Sequence, residues 1–381
     1  MYFTRRRFIR ILLATGSGLL MPVSACESPR SAGTPAQPAY CALEETGKLA
    51  ERTEEAYAHL SQCRLCPRQC GANRQKGEAG FCRAPAKVMI YSAQPHFGEE
   101  VSLVGRHGSG TIFFSRCNLR CVFCQNWPIS HEGRGTEITD EDLAAVMLKL
   151  QNIGCHNINL VTPTHVMPNI LKATRSACRK GLRIPLVYNT SGYERVDMLN
   201  LLVGVVDIYL PDLKFMHSDK AEVYLGGAAD YPGVARQAIL EMHRQVGLLE
   251  TDAEGVARRG LMIQHLVMPN RVAGTQDFVH WVADFLPKTT YVNIMHQYHV
   301  DYKAFEYPEI WRGISSAEYL EAMAWAEAAR LTHLDPRSLS VRDFFKGRLG
   351  PGPAIQSHGN SSSSASHPID LCRIAPKNIK C

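Results

Sequence analysis

Three cysteines lie within eight residues of the stretch SRCNLRCVFCQN, residues 115–126: Cys117, Cys121 and Cys124. A structural metal site is normally closed by four ligands, whereas a catalytic one keeps a coordination position open. A [4Fe-4S] cluster held by these three thiolates would have one iron free to bind another molecule. The spacing is compatible with such an open cluster, and zinc with a fourth ligand from elsewhere in the chain is the alternative.

A second group of cysteines precedes this stretch, and it supplies four ligands: Cys63, Cys66, Cys70 and Cys82. Glycines between and beside them allow the tight turns that wrapping four thiolates around a metal requires. Zinc as a structural ion and an auxiliary [4Fe-4S] cluster are both compatible with the spacing, and disulfides are the weaker alternative. We refer to these four residues as the four-cysteine site.

Cysteine content and charge narrow the function classes. The chain has 13 cysteines in 381 residues, and seven fall in the two tight groups, where metal is favoured over disulfides. The formal net charge is +6. Of the 42 basic residues, four arginines lie within the first ten residues, which leaves 38 basic against 36 acidic residues. That balance gives no reason to expect a nucleic acid as a partner.

The N-terminal residues 1–25 have the pattern of an export signal. TRRRFIR is followed by a short apolar run, an arrangement typical of a twin-arginine (Tat) signal. VSAC resembles a bacterial lipobox, in which Cys26 would be lipidated after cleavage and would anchor the protein to a membrane. The chain is therefore expected to be exported as a lipoprotein, and the alternative is a cytoplasmic protein with a basic N-terminal helix.

The rest of the chain divides by composition into four parts. Residues 26–60 form a Pro- and Ser-containing tether and N-terminal segment, and residues 61–110 a cysteine-rich metal-binding segment. Residues 111–335 form the main domain. Residues 336–381, which include SSSSAS, are expected to be a largely disordered C-terminal extension.

Within the main domain, apolar segments with the character of buried strands alternate with amphipathic helices. The predicted strands are residues 111–115, 157–162, 184–189, 206–212, 261–267 and 290–296. Thr139 and Gly154 are expected to bound one helix, and Ser315 with Glu318 forms a capping box for another. Six βα units predict an α/β fold with a parallel sheet, either a curved partial barrel or an open doubly wound sheet. In both folds, active sites lie at the carboxyl ends of the strands, and the three-cysteine stretch begins at the carboxyl end of the first predicted strand.

The C-x3-C-x2-C spacing, with Phe123 before the last cysteine, resembles the signature of the radical S-adenosylmethionine (SAM) superfamily. Further segments look like its pyruvate formate-lyase-activating-enzyme-like branch: GTIFFSRCNLRCVFCQN, NINLVTPTH, YNTSGY, DIYLPDLK, HLVMPN and IMHQY. The resemblance covers about residues 60–335 and implies a partial (βα)6 barrel. It also implies that SAM binds the free iron and that the reduced cluster cleaves it to a 5′-deoxyadenosyl radical, which abstracts hydrogen.

The resemblance assigns further residues to the SAM site. Asn189 and Thr190 match a polar turn after the third strand, and Asp212 and Lys214 match an Asp-x-Lys after the fourth. Phe123 is expected beside the adenine.

This chain departs from the branch at three places. Thr162-Pro163-Thr164-His165 replaces the usual Gly-Gly-Glu, which leaves Thr162 and Thr164 as candidates for the SAM amino group. Arg116 stands where a small residue is common, and Gln264 where arginine is usual.

Two classes of function follow. The first is an oxidoreductase-type radical SAM enzyme, whose partners would include a glycyl radical enzyme as substrate and a low-potential electron donor such as flavodoxin or ferredoxin. The second is a non-catalytic, membrane-anchored iron–sulfur or zinc protein for electron transfer or scaffolding. An electron carrier has no need of six βα units and an open iron, so the enzyme is favoured.

Overall fold

Parallel strands form the centre of the sheet in the computed structural model, which describes residues 37–349. Across these residues the strands are β1 (Val88–His96), β2 (Ser109–Phe114), β3 (Thr136–Ile138), β4 (Ile158–Val161), β5 (Leu186–Thr190), β6 (Ile208–Pro211), β7 (Glu250–Thr251), β8 (Ala257–Leu266) and β9 (Tyr291–Met295). Strands β2, β4, β5, β6, β8 and β9 pair in that order, and each pair is parallel. The prediction of an α/β chain with a parallel-rich sheet is confirmed, and each predicted strand overlaps one of these six.

Three antiparallel strands, β1, β3 and β7, were not predicted. β1 pairs with both β2 and β3, and β7 pairs with β8. The predicted metal-binding segment 61–110 is therefore not separate from the main domain, because its last part contains a strand of the same sheet. Its sequence VMIYSAQPH does not alternate cleanly between apolar and polar residues, so the strand was missed.

Helices connect the strands and surround the sheet. They are α1 (Ala39–Glu45), α2 (Lys48–Ala58), α3 (Val101–Val104), α4 (Trp127–Ser130), α5 (Asp140–Ile153), α6 (Met167–Arg179), α7 (Val196–Asn200), α8 (Ser218–Tyr224), α9 (Tyr231–Val246), α10 (Thr275–Phe285), α11 (Ser316–Ala328) and α12 (Pro336–Leu349). Among residues 37–349, none of these helices combines the length and the apolar character needed to cross a membrane.

Local sequence explains where two of the main helices begin and end. Thr139 accepts a hydrogen bond from the Asp142 backbone N–H and forms a capping box at the start of α5, which ends at Gly154 with φ +102°. Ser315 and Glu318 form the same box at the start of α11. Both predictions from the sequence are confirmed.

The core lies between the parallel strands and the helices packed on them. Ile112, Leu160, Tyr188 and Tyr209 have no more than 1% of their surface exposed. Continuous apolar strands of this kind are expected where a parallel sheet is covered on both faces. This rigid sheet holds the loops at its carboxyl edge.

The predicted tether, residues 26–60, is helical over much of its length. α1 and α2 pack against α6, and the buried Tyr40 donates a hydrogen bond to the Ile184 carbonyl, just before β5 begins. At the other end of α2, Tyr57 donates to Asp140 at the start of α5 (2.6 Å). An 11-residue helix spans about 16 Å, so α2 runs from the amino edge of the sheet towards its carboxyl edge.

The predicted disordered extension, residues 336–381, likewise begins with a helix. α12 packs against β9 and α11. The buried Ser338 hydroxyl accepts a hydrogen bond from the Ile294 N–H (3.1 Å), and Tyr291 donates to Asp335 just before the helix. The remainder of that extension lies outside the described residues, as do the predicted signal, the lipobox and Cys26.

Candidate active site

The three-cysteine loop follows β2 directly and opens into one cavity at the carboxyl edge of the sheet. Cys117, Cys121 and Cys124 all line this cavity, whose volume is about 300 Å³. Arg116 and Arg120 adopt positive φ values of 80° and 58°, a backbone conformation that costs non-glycine residues energy and reverses the chain direction. These turns bring the three thiols to one side, and we refer to the space as the thiol cavity.

The thiols are held by weak donors. The Leu119 N–H donates to Cys117 Sγ (3.4 Å), and Ser130 Oγ lies 3.1 Å from Cys124 Sγ. Burial raises the pKa of both Cys121 and Cys124 above the ordinary thiol value. Thiolates at these positions need a compensating positive charge, which the iron of a cluster would supply.

Polar side chains from three strand ends line the same cavity: Thr162 after β4, Asn189, Thr190 and Ser191 at the end of β5, and Asp212 and Lys214 after β6. Lys214 Nζ donates to Asp212 Oδ2 at 2.7 Å, with about a fifth or less of each side chain exposed. Burial by itself lowers the pKa of Lys214, but Asp212 and Cys121 outweigh it and the net pKa is raised. The ammonium is therefore charged at neutral pH and fixed beside the thiols.

Thr190 lines the thiol cavity, but its hydroxyl donates to Glu194, a buried carboxylate that sequence reasoning missed. Thr164, one of two candidates for the SAM amino group, also donates to Glu194 (2.6 Å), whereas Thr162 lines the cavity. Burial raises the pKa of Glu194 to about 7. A glutamate in the turn YNTSGYE looks like an ordinary exposed loop residue, so only the fold reveals that it ties two strand ends together.

Phe123 closes another side of the thiol cavity. It is 7% exposed and packs edge-on against Phe215, with ring centroids 5.9 Å apart, and against Tyr298 at 6.2 Å. The ring is therefore fixed at the position where the sequence predicts an adenine contact.

Both unusual residues also line the thiol cavity. Arg116 Nη1 donates to the His131 carbonyl (3.1 Å). A Cβ on Gly133, whose φ is +74°, would lie 2.2 Å from the guanidinium and would displace it. Gln264 Nε2 donates to Glu100 Oε1 at 2.5 Å. Sequence reasoning singled out Arg116 and Gln264 only as departures, without predicting these contacts.

The four cysteines of the four-cysteine site line one small cavity of about 10 Å³, together with Asn118 and His165. All are free thiols. A Cβ on Gly80 would lie 2.4 Å from Cys70 Sγ, so a larger residue would push that thiol away. Burial raises the pKa of Cys66 to about 12 and raises that of Cys82 as well.

The two cysteine groups lie close together. Asn118, next to Cys117 in the chain, lines the small cavity and donates through Nδ2 to the Tyr193 carbonyl (2.9 Å). In the described part of the chain, no three cysteine, histidine or acidic side chains are arranged to hold a metal ion as they stand.

Comparisons with known proteins identify the superfamily to which this chain belongs. A model of the radical SAM superfamily matches residues 111–232. An uncharacterized protein of Methanocaldococcus jannaschii is 34% identical over 290 residues, covering 74% of this chain and 78% of its own length. The chain belongs to the radical SAM superfamily. A second uncharacterized protein of the same organism is 25% identical over 276 residues, which is 65% of this chain and 73% of that relative.

Membership of the radical SAM superfamily implies a [4Fe-4S] cluster and SAM, and the thiol cavity fits both. Three thiols suit a cluster with one open iron. Ser191 Oγ is buried, lines the cavity and has no hydrogen-bond partner among the described residues, as expected of a group that awaits a polar ligand. The superfamily match includes the loop cysteines, Asp212 and Lys214 but ends before β8, and it leaves out the four-cysteine site.

Proposed function

We propose that this radical SAM protein reductively cleaves SAM and abstracts hydrogen from a substrate held beside it. One observation carries the proposal: three thiols and the fixed Asp212–Lys214 pair share a single cavity at the carboxyl edge of a parallel sheet. In the chemistry that the cluster and SAM supply, one electron breaks the sulfur–C5′ bond, releasing methionine, and the adenosyl fragment takes a hydrogen atom from the substrate.

The chain's own residues would divide the binding between them. Cys117, Cys121 and Cys124 would hold the cluster. SAM presents a carboxylate, an ammonium and ribose hydroxyls, and Asn189 with the Asp212–Lys214 pair offers an amide, an anion and a cation at fixed positions. Charge-assisted hydrogen bonds of this kind are stronger and more directional than neutral ones.

Apolar side chains line the other walls of the thiol cavity: Phe113, Phe114, Phe123, Ile129, Leu266 and Met295. Reactive intermediates are consumed by side reactions wherever the solvent can reach them. These walls would exclude water around the reacting atoms, while the strand-end polar groups orient SAM.

Membership of the pyruvate formate-lyase-activating-enzyme-like branch is the narrower form of the proposal. It rests on the quoted sequence segments. Membership of the branch would imply a glycyl radical enzyme as substrate and flavodoxin or ferredoxin as electron donor. Thr162 and Gln264 stand in the thiol cavity where that branch has different residues. The proposal that this protein cleaves SAM therefore does not depend on its having the substrate of that branch.

We also propose that the four-cysteine site holds one metal ion, most simply zinc. The cavity of about 10 Å³ is close to the size of one water-sized probe, which favours a single ion over a second [4Fe-4S] cluster. Its ligands would tie the segment carried by α2 to the edge of the cysteine loop.

For localisation, the motifs TRRRFIR and VSAC support a chain exported by Tat and anchored through Cys26. A single acyl chain binds membranes only marginally, so stable anchoring needs the several chains of a bacterial lipoprotein. Fractionation with N-terminal mass analysis tests this. A membrane-bound chain that starts at Cys26 would support it, and an intact Met1 in the soluble cytoplasmic fraction would contradict it.

The main experiment is anaerobic. The chain is reconstituted with iron and sulfide, reduced with dithionite and assayed for 5′-deoxyadenosine formed from SAM. Wild type should bind about four irons at the loop and release 5′-deoxyadenosine. A variant with alanine at all three loop cysteines should do neither, while it keeps the metal of the four-cysteine site. Iron binding without cleavage would point instead to a non-catalytic iron–sulfur protein.

A further inference from the structure

A second cavity adjoins the thiol cavity at the carboxyl ends of β8 and β9. Its volume is about 240 Å³, and Gln264, Met295 and Gln297 line both cavities. A molecule bound there would therefore face the proposed SAM site directly. We call it the carboxylate cavity, because Glu99 and Glu100 both line it.

Two hydrogen bonds fix one carboxylate oxygen of Glu100, and its other oxygen has no hydrogen-bond partner among the described residues. It is 1% exposed, and its Oε1 accepts hydrogen bonds from Gln264 Nε2 (2.5 Å) and Asn293 Nδ2 (2.9 Å). Its Oε2 is buried and has no partner among the described residues. An unpaired buried carboxylate oxygen is costly, and here it belongs to a side chain that lines an open cavity.

Glu99 places a second carboxylate beside the first. Its Oε2 accepts from Asn189 Nδ2 at 3.5 Å, and Asn189 itself lines the thiol cavity. Burial, followed by the charge of Glu100, raises the pKa of Glu99 to about 8, and burial also raises the pKa of Glu100. Two adjacent carboxyl groups are thus held where neither ionises easily without a positive charge nearby.

The walls supply less positive charge than two carboxylates require. Arg337 lines the cavity, but its two terminal nitrogens donate to the backbone carbonyls of Gly98 (2.6 Å) and Phe97 (3.0 Å). Burial lowers the pKa of His296, which leaves that ring neutral at pH 7. His96 Nε2 lies 4.0 Å from Glu99 Oε1, but burial lowers the pKa of that ring as well. A further cation in the cavity would therefore stabilise the ionised form of Glu100.

We propose that the carboxylate cavity binds the protonated amine of a small organic substrate. This rests on the proposed function, since the cavity adjoins the SAM site. The amine would donate to Glu100 Oε2 and place the rest of the molecule next to the shared wall of Gln264, Met295 and Gln297.

Two features favour an organic ammonium over a metal ion. The amide nitrogens of Gln264 and Asn293 point at Glu100, so these side chains offer hydrogen-bond donors around the carboxylate, whereas a hard cation requires several oxygen ligands. The volume also exceeds what one ion needs, because a single water-sized probe requires only about 10–15 Å³. A chain of several carbon atoms attached to the amine would fill the remainder.

The test uses the full-length chain, reconstituted with its cluster and saturated with SAM. Butylamine and putrescine are the probes, 1-butanol and butyrate are the uncharged and anionic controls, and binding is measured by saturation-transfer NMR and calorimetry. Both amines should bind, and neither control should. Glu100→Gln should weaken amine binding at least tenfold while it keeps its iron, and Glu137→Gln, an exposed glutamate on β3, should bind amines as wild type does.

Failure of either amine to bind, or equal binding by wild type and Glu100→Gln, would overturn the proposal. So would butyrate binding as tightly as the amines. Stoichiometric binding of Mn²⁺ with no amine binding would assign the cavity to a metal instead. SAM binding and cleavage measured without amine report separately on the proposed function, so the two can fail independently.

Discussion

Replacing Asp212 by asparagine tests how the thiol cavity would bind SAM. The change keeps the shape of the side chain and removes its charge, which leaves the Lys214 ammonium without the carboxylate that lies 2.7 Å away. We expect weaker SAM binding and an unchanged iron content, because neither residue is a predicted cluster ligand.

The size of the effect follows from the burial of the pair. At an effective dielectric constant of about 20, two charges 2.7 Å apart attract by roughly 6 kcal/mol. The cost of removing both groups from water offsets much of this. Hydrogen bonds to charged groups contribute a net of about 1.5–3 kcal/mol, which corresponds to a dissociation constant for SAM about 10 to 150 times larger.

The assay is anaerobic calorimetry of SAM binding to reconstituted protein. Glu141→Gln is the matched control, since Lys180 contacts Glu141 at the same 2.7 Å, but both side chains are more than half exposed. Exposed pairs contribute little, so this variant should bind SAM as wild type does.

A double variant, Asp212→Asn with Lys214→Met, separates two roles for the carboxylate. If Asp212 acts by holding Lys214, the double variant should be no worse than Lys214→Met alone. If Asp212 contacts SAM itself, the losses should add. An Asp212→Asn protein with full iron content and a dissociation constant within twofold of wild type would refute the reasoning.

Three further predictions follow from the geometry. Cys124→Ala should lose about four irons per chain and keep the metal of the four-cysteine site; retention of all the iron would contradict the loop assignment. Gly80→Ala should turn Cys70 away and weaken metal binding at the four-cysteine site at least tenfold, measured by chelator competition, whereas Gly313→Ala, which meets no atom within 4 Å, should not. The third prediction concerns Glu194, whose pKa burial raises from 4.5 to about 7. The unfolded chain loses this proton first as pH rises, so wild type should lose about 3 kcal/mol of stability relative to Glu194→Gln between pH 4.5 and 7. A constant difference in urea unfolding across that range would contradict it.

The sequence was most informative where function depends on spacing within one loop or at strand ends. Cys117, Cys121 and Cys124 could be grouped from their separation alone. Asp212 and Lys214 could be placed beside them, because the carboxyl ends of parallel strands share one edge of a sheet. The structure brings all five into one cavity.

The carboxylates could not be found in the same way. Glu100 meets Gln264 across 164 residues of sequence, and nothing near either residue signals that contact. Glu99 and Glu100 also follow β1, a strand that the apolar pattern did not reveal. Thr190 illustrates a different limit. It lines the thiol cavity, as expected of a polar residue at a strand end, but the sequence could not show that its hydroxyl donates to Glu194.

The path of α1 and α2 has a practical consequence for experiments on this protein. Tyr40 is held near Ile184, at the amino edge of the sheet, whereas the thiol and carboxylate cavities open at the carboxyl edge. The chain therefore enters the described fold on the side away from the cavities. An affinity tag or surface-immobilisation handle joined directly to residue 37 should leave the reactive edge accessible to SAM, to reductants and to probe amines.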